Sequence, residues 1–192
     1  MLPFLDIFGL QIPMYGLLAV VGMVLGVSNV LSEDQSTEYK AITMLTGGKE
    51  QKFFVSEARA DLSVFKKISK NDLIAYTLDG FDKINSVIIL QEADQYYESF
   101  MDEYAFGEVK NIEYNKVSNA RVRRVNRVEI GYSGTDGTEL TAELLVRNPS
   151  PIFILEGKGD ARIGTVNDIQ IGDMVYMAIY NVVDIRAVVI KR

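Results

Sequence analysis

The sequence repeats itself once over most of its length. A shift of 101 residues aligns residues 27–90 with residues 128–191 without a gap, and eleven of the 64 aligned positions are identical. The apolar pattern agrees better than the identities, since Val87-Ile88-Ile89 meets Val188-Val189-Ile190. Self-similarity at one fixed offset indicates a tandem arrangement of a single structural unit. The chain is therefore predicted to contain two copies of one small unit.

Turn residues divide each copy into short runs of β-forming residues. In the first copy, Thr46-Gly47-Gly48-Lys49 and Asp79-Gly80 separate such runs. In the second copy, Asn148-Pro149-Ser150-Pro151 and Tyr180-Asn181 do so. Runs of about five to eight residues between turns of this kind are typical of β-sandwiches and barrels, and not of alternating strands and helices. We predict a mainly β fold of two tandem small β-barrel or sandwich modules.

The first 27 residues differ in character from the rest of the chain. They carry one charge, Asp6, and residues 14–27 consist wholly of glycine, tyrosine and apolar residues. A membrane-spanning helix needs about 20 mostly apolar residues, so this segment is marginal as a span. We expect an apolar N-terminal helix that associates with a membrane; the alternative is a buried core helix or strand pair. The residues assigned to the membrane segment are Ile12, Tyr15, Leu17, Val20 and Val24.

The repeat sets the expected domain boundaries. Because the same offset maps the apolar segment onto the strand-like start of the second copy, the first copy is predicted to lack its opening strand. We expect a leader over residues 1–27, an incomplete first module over 28–91 and a complete second module over 106–192. Residues 92–105 carry five acids and no base. Their aromatic residues recur at helical spacing, which predicts an acidic, helical linker.

The composition excludes most catalytic templates. The chain contains no His, Cys or Trp, so it lacks the most versatile general base and metal ligand, and also thiolate nucleophiles. Two acidic segments, Asp79-Gly80-Phe81-Asp82 and Asp136-Gly137-Thr138-Glu139, match no calcium-binding spacing. Asp and Gly are also the residues that tight turns require, so we interpret both segments as turns. We expect no catalytic residue, no metal and no cofactor.

One basic cluster is a candidate anion-binding site. It consists of Arg121, Arg123, Arg124 and Arg127. Guanidinium groups suit phosphate and other anionic groups, and the alternative is a solvent-facing strand whose arginines pair with glutamates. The formal net charge of −6 argues against nucleic acid as a partner, because nucleic-acid binders normally carry a basic surface.

The start of the chain carries a family resemblance. The stretch Phe8-Gly9-Leu10-Gln11-Ile12-Pro13-Met14-Tyr15-Gly16-Leu17, followed by an apolar run containing glycine, resembles the N-terminus of bacterial prolipoprotein diacylglyceryl transferase. The resemblance covers residues 1–27 and implies a first membrane helix. The catalytic and lipid-binding His and Arg residues of that family have no counterpart here, so the resemblance implies a leader without transferase activity.

The repeats resemble a second family. The pattern Ile-x-x-Gly-Asp-x-Val-Tyr at residues 169–176 and the stretch Asn71-Asp72-Leu73-Ile74-Ala75-Tyr76 carry this resemblance. They are similar to the tandem β-modules beside S-layer homology repeats in surface proteins of clostridia-like Firmicutes. The resemblance covers about residues 28–192 and implies a non-enzymatic extracellular segment.

These observations predict a non-catalytic cell-surface protein of S-layer-associated type, with a structural or interaction role. We expect it to be membrane-tethered or exported, at the cell membrane or extracellular surface. Its expected partners are the membrane, through the N-terminal segment, and a cell-wall polymer or protein, with no nucleic acid. Two alternatives stay open: an inactive, truncated or fused transferase-like membrane protein, and a virion or filament subunit. The oligomeric state is not predicted.

Overall fold

A computed structural model describes most of the chain. The described residues are 4–7, 10–13, 20–31, 38–57, 59, 63–93, 99–100, 104–115, 124–134, 136–145, 151–156, 159–180 and 184–192. They form mainly β-strands, with one five-residue α-helix and a 3₁₀ turn at Val166–Asp168. In chain order the elements are β1 (Phe4–Ile7), β2 (Leu10–Pro13), β3 (Val20–Leu31), β4 (Glu38–Thr46), β5 (Lys49–Phe54), α1 (Ser63–Lys67), β6 (Leu73–Leu78), β7 (Ile84–Gln91), β8 (Ser99–Phe100), β9 (Tyr104–Asn115), β10 (Arg124–Ser133), β11 (Glu139–Leu145), β12 (Ile152–Glu156), β13 (Asp160–Gly164), β14 (Met174–Tyr180) and β15 (Asp184–Lys191).

The strands form a two-stranded hairpin, β1–β2, and two larger sheets. The first larger sheet has the order β5-β4-β3-β6-β7, and the second has the order β11-β10-β9-β14-β15-β12-β13 with the short β8 beside β9. In each of these sheets, a fourth strand returns beside the first of three consecutive antiparallel strands, which is a Greek-key connection. The two ends of the first sheet meet at a single parallel bridge, Val55–Ile84, whereas in the second sheet the end strand β11 meets the interior strand β15 at one parallel pairing, Leu145–Asp184. Among the described residues, neither sheet forms a closed barrel. The predicted mainly β fold is confirmed.

β3 and β9 occupy equivalent positions in the two units. Val24 in β3 exchanges backbone hydrogen bonds of 2.7 and 2.9 Å with residues 71–72. Val109 in β9 exchanges bonds of 2.8 and 2.9 Å with residues 172–173. Val24 and Val109 therefore hold equivalent positions and are 85 residues apart in the sequence. The turns that they contact are 101 residues apart. The prediction that the first unit lacks its opening strand is wrong, because β3 is that strand.

An extra hairpin in the second unit accounts for the change of offset. β12 and β13 pair with each other, and β12 also runs parallel to β15. In the first unit only residues 55–62 separate β5 from α1. Upstream of this insertion, an alignment without gaps pairs strands that are not equivalent. The offset of 101 residues therefore holds only for the closing half of each unit.

A buried aspartate organises the same turn in both units. Asp72 is 2% exposed and Asp173 is 9% exposed. Oδ2 of Asp72 accepts a hydrogen bond from Ser69 N at 2.7 Å, and Oδ2 of Asp173 accepts one from Gln170 N at 2.9 Å. The residue before each aspartate has a positive φ, 71° in the first unit and 91° in the second. The sequence identity at this position thus reflects a carboxylate that satisfies the backbone of a tight turn.

The buried apolar residues form three clusters. One fills the first unit around Phe65 of α1, and one fills the second unit around Ile130 and Ile154. The third, which we call the shared cluster, contains residues from both units. Its buried members are Val21, Met23, Leu45 and Leu73 from the first unit and Phe106, Phe153, Leu155, Tyr176, Ala178 and Val189 from the second.

The described part of the N-terminal segment is strand and not helix. Residues 4–7, 10–13 and 20–31 form β1, β2 and β3, so the expected apolar helix is not found there. Residues 21–24 of β3 are buried on both faces of the sheet, because Met23 belongs to the shared cluster and Val24 to the core of the first unit. A strand buried on both faces reads as a continuous apolar run, which accounts for the apolar sequence of these residues. Across the described chain, no helix has the length and hydrophobicity of a membrane span.

Two other predicted boundaries fall within strands. The expected end of the leader at residue 27 lies inside β3. Most of the helix predicted over residues 92–105 lies outside the described residues. In its described part, Ser99–Phe100 form β8 and Tyr104 begins β9.

Candidate functional site

Three neighbouring strands of the first unit, β3, β4 and β5, present one common outer face. Along β4, Ile42 and Met44 point into the core of the first unit. Because side chains alternate along a strand, Tyr39, Ala41 and Thr43 point to the opposite face. The register places Phe54 of β5 beside Ala41, Lys52 of β5 beside Thr43 and Ser28 of β3 beside Ala41.

The second unit covers one end of this outer face. Met23 and Leu45, paired across β3 and β4, lie in the shared cluster with Phe153 and Leu155 of the extra hairpin strand β12. Met23 is fully buried and Leu45 is 7% exposed. This end of the face is therefore an interface between the two units.

The other end of the outer face carries aromatic side chains, while its Ala41 is fully buried. The rings of Tyr39 and Phe54 meet edge to face, with centroids 6.2 Å apart and planes at 73°. Lys83 Nζ lies 5.5 Å from the centroid of the Tyr39 ring. The same ammonium group is 3.7 Å from Glu57 Oε1. Phe54 is 40% exposed. We call Tyr39, Phe54 and Lys83, with Phe81 two residues before Lys83 in the same turn, the aromatic face.

A rigid turn between β6 and β7 carries Phe81 and Lys83. Asp79 Oδ1 accepts hydrogen bonds from Phe81 N at 2.9 Å and Lys83 N at 3.0 Å. These backbone hydrogen bonds, that of Lys83 first, lower the pKa of Asp79. Phe81 is 86% exposed at the tip of this turn. The turn thus holds a large apolar ring in solvent, two residues from the cation that lies over Tyr39.

The equivalent face of the second unit carries ion pairs among its described side chains. Arg127 takes the place of Ala41, and Glu113 takes that of Ser28, as the pairing of β9 with β10 shows. Arg127 Nε is 3.6 Å from Glu113 Oε2, and its Nη1 is 2.9 Å from Glu143 Oε2. The two units therefore share one fold but present chemically different outer faces.

A second ion-pair group lies farther along the same face. Lys110 Nζ is 2.8 Å from Glu108 Oε2 and 3.1 Å from Glu139 Oε1. Hydrogen bonds to these two carboxylates, that to Glu108 first, raise the pKa of Lys110. A methyl group at Gly131 would lie 2.5 Å from Lys110 Cε, so the lysine stem packs directly over this glycine.

The predicted anion-binding cluster is only partly described. Arg121 and Arg123 lie outside the described residues, and Arg124 begins β10 with its side chain outside the described part. Arg127 is ion-paired with Glu113 and Glu143, as the alternative interpretation proposed.

The residues predicted for a membrane segment separate in the structure. Ile12 pairs with Leu5 in the β1–β2 hairpin. Tyr15 and Leu17 lie outside the described residues. Val20 and Val24 both belong to β3, where Val20 is 38% exposed and Val24 is fully buried.

In each acidic turn, the aspartate carboxylate accepts hydrogen bonds from other residues of the same turn. Besides Asp79, Asp136 Oδ1 accepts hydrogen bonds from Thr138 N at 3.0 Å and Thr138 Oγ1 at 2.6 Å. The hydroxyl and backbone hydrogen bonds of Thr138 lower the pKa of Asp136. Among the described residues, no group of three or more acidic side chains is placed to hold a metal ion.

Two polar side chains, one partly buried and one buried, support the fold of the first unit. Lys40 Nζ donates a hydrogen bond to the carbonyl oxygen of Phe65 in α1. Burial, and then the nearby charge of Lys66, lower the pKa of Lys40. Tyr76 Oη donates to Thr46 Oγ1 at 3.0 Å inside the core, where burial raises the pKa of Tyr76. These groups bind the protein's own backbone and side chains, so we place them outside the candidate site.

Comparison with known proteins gives no family. No family model matches the chain, and no curated protein matches it. One similar solved structure, a murine DNA-binding protein bound to double-stranded DNA, is 14% identical and aligns over 91% of this chain and 94% of its own, with a TM-score of 0.26. Another, the tetrameric p202 HIN2, is 12% identical and aligns over 90% of this chain and 87% of its own, also with a TM-score of 0.26.

The expectation about partners needs correction. It excluded nucleic acid, whereas one of these solved structures is a DNA-binding protein in complex with DNA. The exclusion rested on net charge, which is a sum over the whole chain and does not describe any single face. We withdraw that expectation together with the partners named beside it. A TM-score of 0.26 is too low to assign a ligand to this chain.

Proposed function

We propose that this chain is a non-catalytic structural and interaction protein of the cell-surface class, built from two Greek-key β modules. The shared cluster is the observation that carries the proposal. It holds the two modules in one fixed orientation, and a fixed orientation is what an element of a surface assembly requires of its modules.

The polar contacts around the shared cluster support the same proposal. Tyr176 Oη of the second unit donates a hydrogen bond to Leu90 O of the first unit at 3.0 Å. At a neighbouring point, a methyl group on Gly159 of the second unit would lie 2.7 Å from Asn71 Nδ2 of the first unit, so the two units approach closely there. Apolar burial supplies the main attraction between such surfaces, and the polar contacts fix their register.

The extra hairpin gives this junction its specificity. Phe153 and Leu155 of β12 are 2% and 7% exposed and belong to the shared cluster. Ala161 and Ile163 of β13 pack against the same cluster. The β12–β13 insertion is thus one of the segments of the second unit that contact the first unit. We infer that the insertion serves to dock the modules.

Protease treatment of intact cells tests the proposed location. The full chain is expressed with a C-terminal epitope tag in cells of its source organism, and intact cells are treated with a protease. We expect the tag to be lost from intact cells while a cytoplasmic marker survives. Retention of the tag until the cells are broken contradicts the proposal.

A further inference from the structure

The outer edge of β5, at one end of the first sheet, has the features of a self-association site. We propose that it pairs in antiparallel orientation with the same edge of a second copy of this chain, which gives a two-fold symmetric dimer. This inference goes beyond the proposed function and does not depend on where the chain is located in the cell. The observations that carry it are the open backbone of this edge, the order of its charges and the contrast with the second unit.

Every second residue of β5 directs its backbone NH and carbonyl groups away from β4. Val55 N, directly after β5, donates a hydrogen bond of 2.8 Å to Lys40 O of β4, whereas Ser56 N donates one of 2.9 Å to Ile84 O of β7. Because these groups alternate in direction along a strand, the odd-numbered residues of β5 face β4 and the even-numbered residues face the outer edge. The outward residues are Glu50, Lys52 and Phe54.

The outer edge of β5 is open to another strand. The parallel bridge to β7 joins Val55 to Ile84, which is the first residue of β7. Since both strands continue in the same direction, the residues of β5, which all precede Val55, extend beyond the start of β7. Glu50 and Lys52 are exposed, and β4 is the one strand of the described chain that pairs along β5. An unpaired strand edge of this kind is a template for pairing with another chain.

The charges on the edge select one antiparallel register. Glu50 and Lys52 lie two residues apart on the same face of β5, and no described residue forms an ion pair with either. With the two-fold axis at Gln51, Glu50 of each copy faces Lys52 of the other copy. An axis at Glu50 or at Lys52 would instead bring like charges face to face. Opposite charges directly across two strands stabilise the pair, and like charges destabilise it.

The same register covers an exposed aromatic ring. Phe54 is 40% exposed. With the axis at Gln51, Phe54 lies across from Gly48 of the second copy, where an added methyl group would have no atom within 4 Å. An aromatic side chain opposite a glycine on a neighbouring strand stabilises such a pair.

The corresponding edge of the second unit lacks this complementarity. Thr138 O accepts a hydrogen bond of 2.8 Å from Gly134 N of the preceding segment, so the odd-numbered residues of β11 face the outer edge. These are Glu139, Thr141 and Glu143. The two glutamates already form ion pairs within the second unit, and the edge carries no cation. Charged residues on an edge strand normally prevent pairing, which describes β11, whereas the opposite charges of β5 allow two copies to pair.

Sedimentation velocity on the full chain tests the proposal. The protein is measured from about 10 μM to about 1 mM at about 0.15 M salt. An interface formed by one strand edge is small, and small interfaces are weak. We therefore expect a reversible monomer–dimer equilibrium within this range. A monomer at every concentration overturns the proposal.

Charge reversals then locate the interface. Glu50→Lys and Lys52→Glu each place like charges face to face in their own dimers, so each should weaken dimerisation about tenfold or more. An equimolar mixture of the two variants should dimerise as well as the unchanged protein, because each reversed charge then faces an opposite charge.

The control is Lys67→Glu, which makes the same change in net charge at an exposed residue of α1 and should leave dimerisation unchanged. Circular dichroism checks that each variant is folded. Unchanged dimerisation of the two β5 variants, equal weakening by Lys67→Glu or no recovery in the mixture overturns the assignment to β5.

Discussion

The phenolic oxygen of Tyr176 in the second unit donates a hydrogen bond to the carbonyl oxygen of Leu90 in the first unit, at 3.0 Å. Tyr176 is 1% exposed, with its ring in the shared cluster and its hydroxyl at the boundary between the units. One side chain therefore contributes both an apolar contact and a hydrogen bond to the junction between the units.

Replacing this tyrosine with phenylalanine should weaken the junction without disturbing its packing. Tyr176→Phe keeps the ring and removes the donor to Leu90 O, so we expect a loss of about 1 kcal/mol in the free energy of unfolding. Urea unfolding followed by circular dichroism measures this. Tyr39→Phe, which keeps the edge-to-face contact with Phe54, is the control and should change stability by less than about 0.5 kcal/mol.

Removing either buried turn aspartate should be costly. Asp72→Ala and Asp173→Ala leave the backbone NH groups of Ser69 and Gln170 without their carboxylate partners. We expect a loss of about 2–3 kcal/mol in each case, because hydrogen bonds to a charged group contribute about 1.5–3 kcal/mol. Asp160→Ala is the control: it removes an exposed ion pair with Lys70 at 3.7 Å, which contributes about 0–1 kcal/mol. Equal unfolding midpoints for Asp72→Ala and Asp160→Ala would show that the turn does not depend on its carboxylate.

A methyl group at Gly159 should strain the junction. Gly159 has a φ of +117°, and its added Cβ would lie 2.7 Å from Asn71 Nδ2. We expect Gly159→Ala to lower the free energy of unfolding by about 1–3 kcal/mol, through backbone strain and displacement of Asn71. Gly26→Ala is the matched control, since nothing lies within 4 Å of its added methyl group. The prediction fails if the two variants melt at the same temperature.

Acid should destabilise the protein through its turn aspartates. Hydrogen bonds lower the pKa of Asp79, Asp136 and Asp168 from the ordinary value of 3.8, the main donors being the backbone NH of Lys83, the Thr138 hydroxyl and the Thr165 hydroxyl respectively. A carboxyl group with a lowered folded-state pKa stabilises the fold above the unfolded-state pKa. That contribution is lost as the pH falls through the folded-state value.

We therefore expect the urea midpoint to fall between about pH 5 and about pH 2. Asp168→Asn should reduce this fall, because an amide does not titrate. Asp82→Asn, in an exposed turn, provides the comparison. A urea midpoint that stays constant over this range would show that these carboxylates do not stabilise the fold.

The sequence predicted those parts of the fold that rest on local chemistry. Asp72 and Asp173 align at the offset of 101 residues because the same turn needs the same carboxylate. Two features of the fold, the strand β3 and the inserted hairpin, could not be predicted from the sequence. The start of β3, residues 21–24, is buried on both faces, so it lacks the alternation that marks a strand and resembles a membrane segment. The inserted hairpin shifts the alignment upstream of it, which a comparison without gaps does not detect.

The candidate site was not predicted, for a related reason. Phe53 and Phe54 are adjacent in the sequence, and only the register with β4 shows that Phe54 shares a face with Tyr39. Lys83 contacts that face from a turn that lies more than 25 residues after Phe54 in the chain. An aromatic residue at the tip of an Asp-Gly turn, Phe81, was the one local signal of this site.

The fixed orientation of the two units is tested most directly by cross-linking across their junction. The chain contains no cysteine, so the double variant Lys70→Cys, Asp160→Cys carries the only two thiols, at side chains that form an ion pair of 3.7 Å between the units. With a short bis-maleimide in dilute solution, we predict near-complete intramolecular cross-linking. The control pair Lys70→Cys, Glu129→Cys, with the second thiol on the ion-paired face of the second unit, should react with separate maleimides. Equal cross-linking of the two pairs, or none in the first, would contradict a fixed junction between the units.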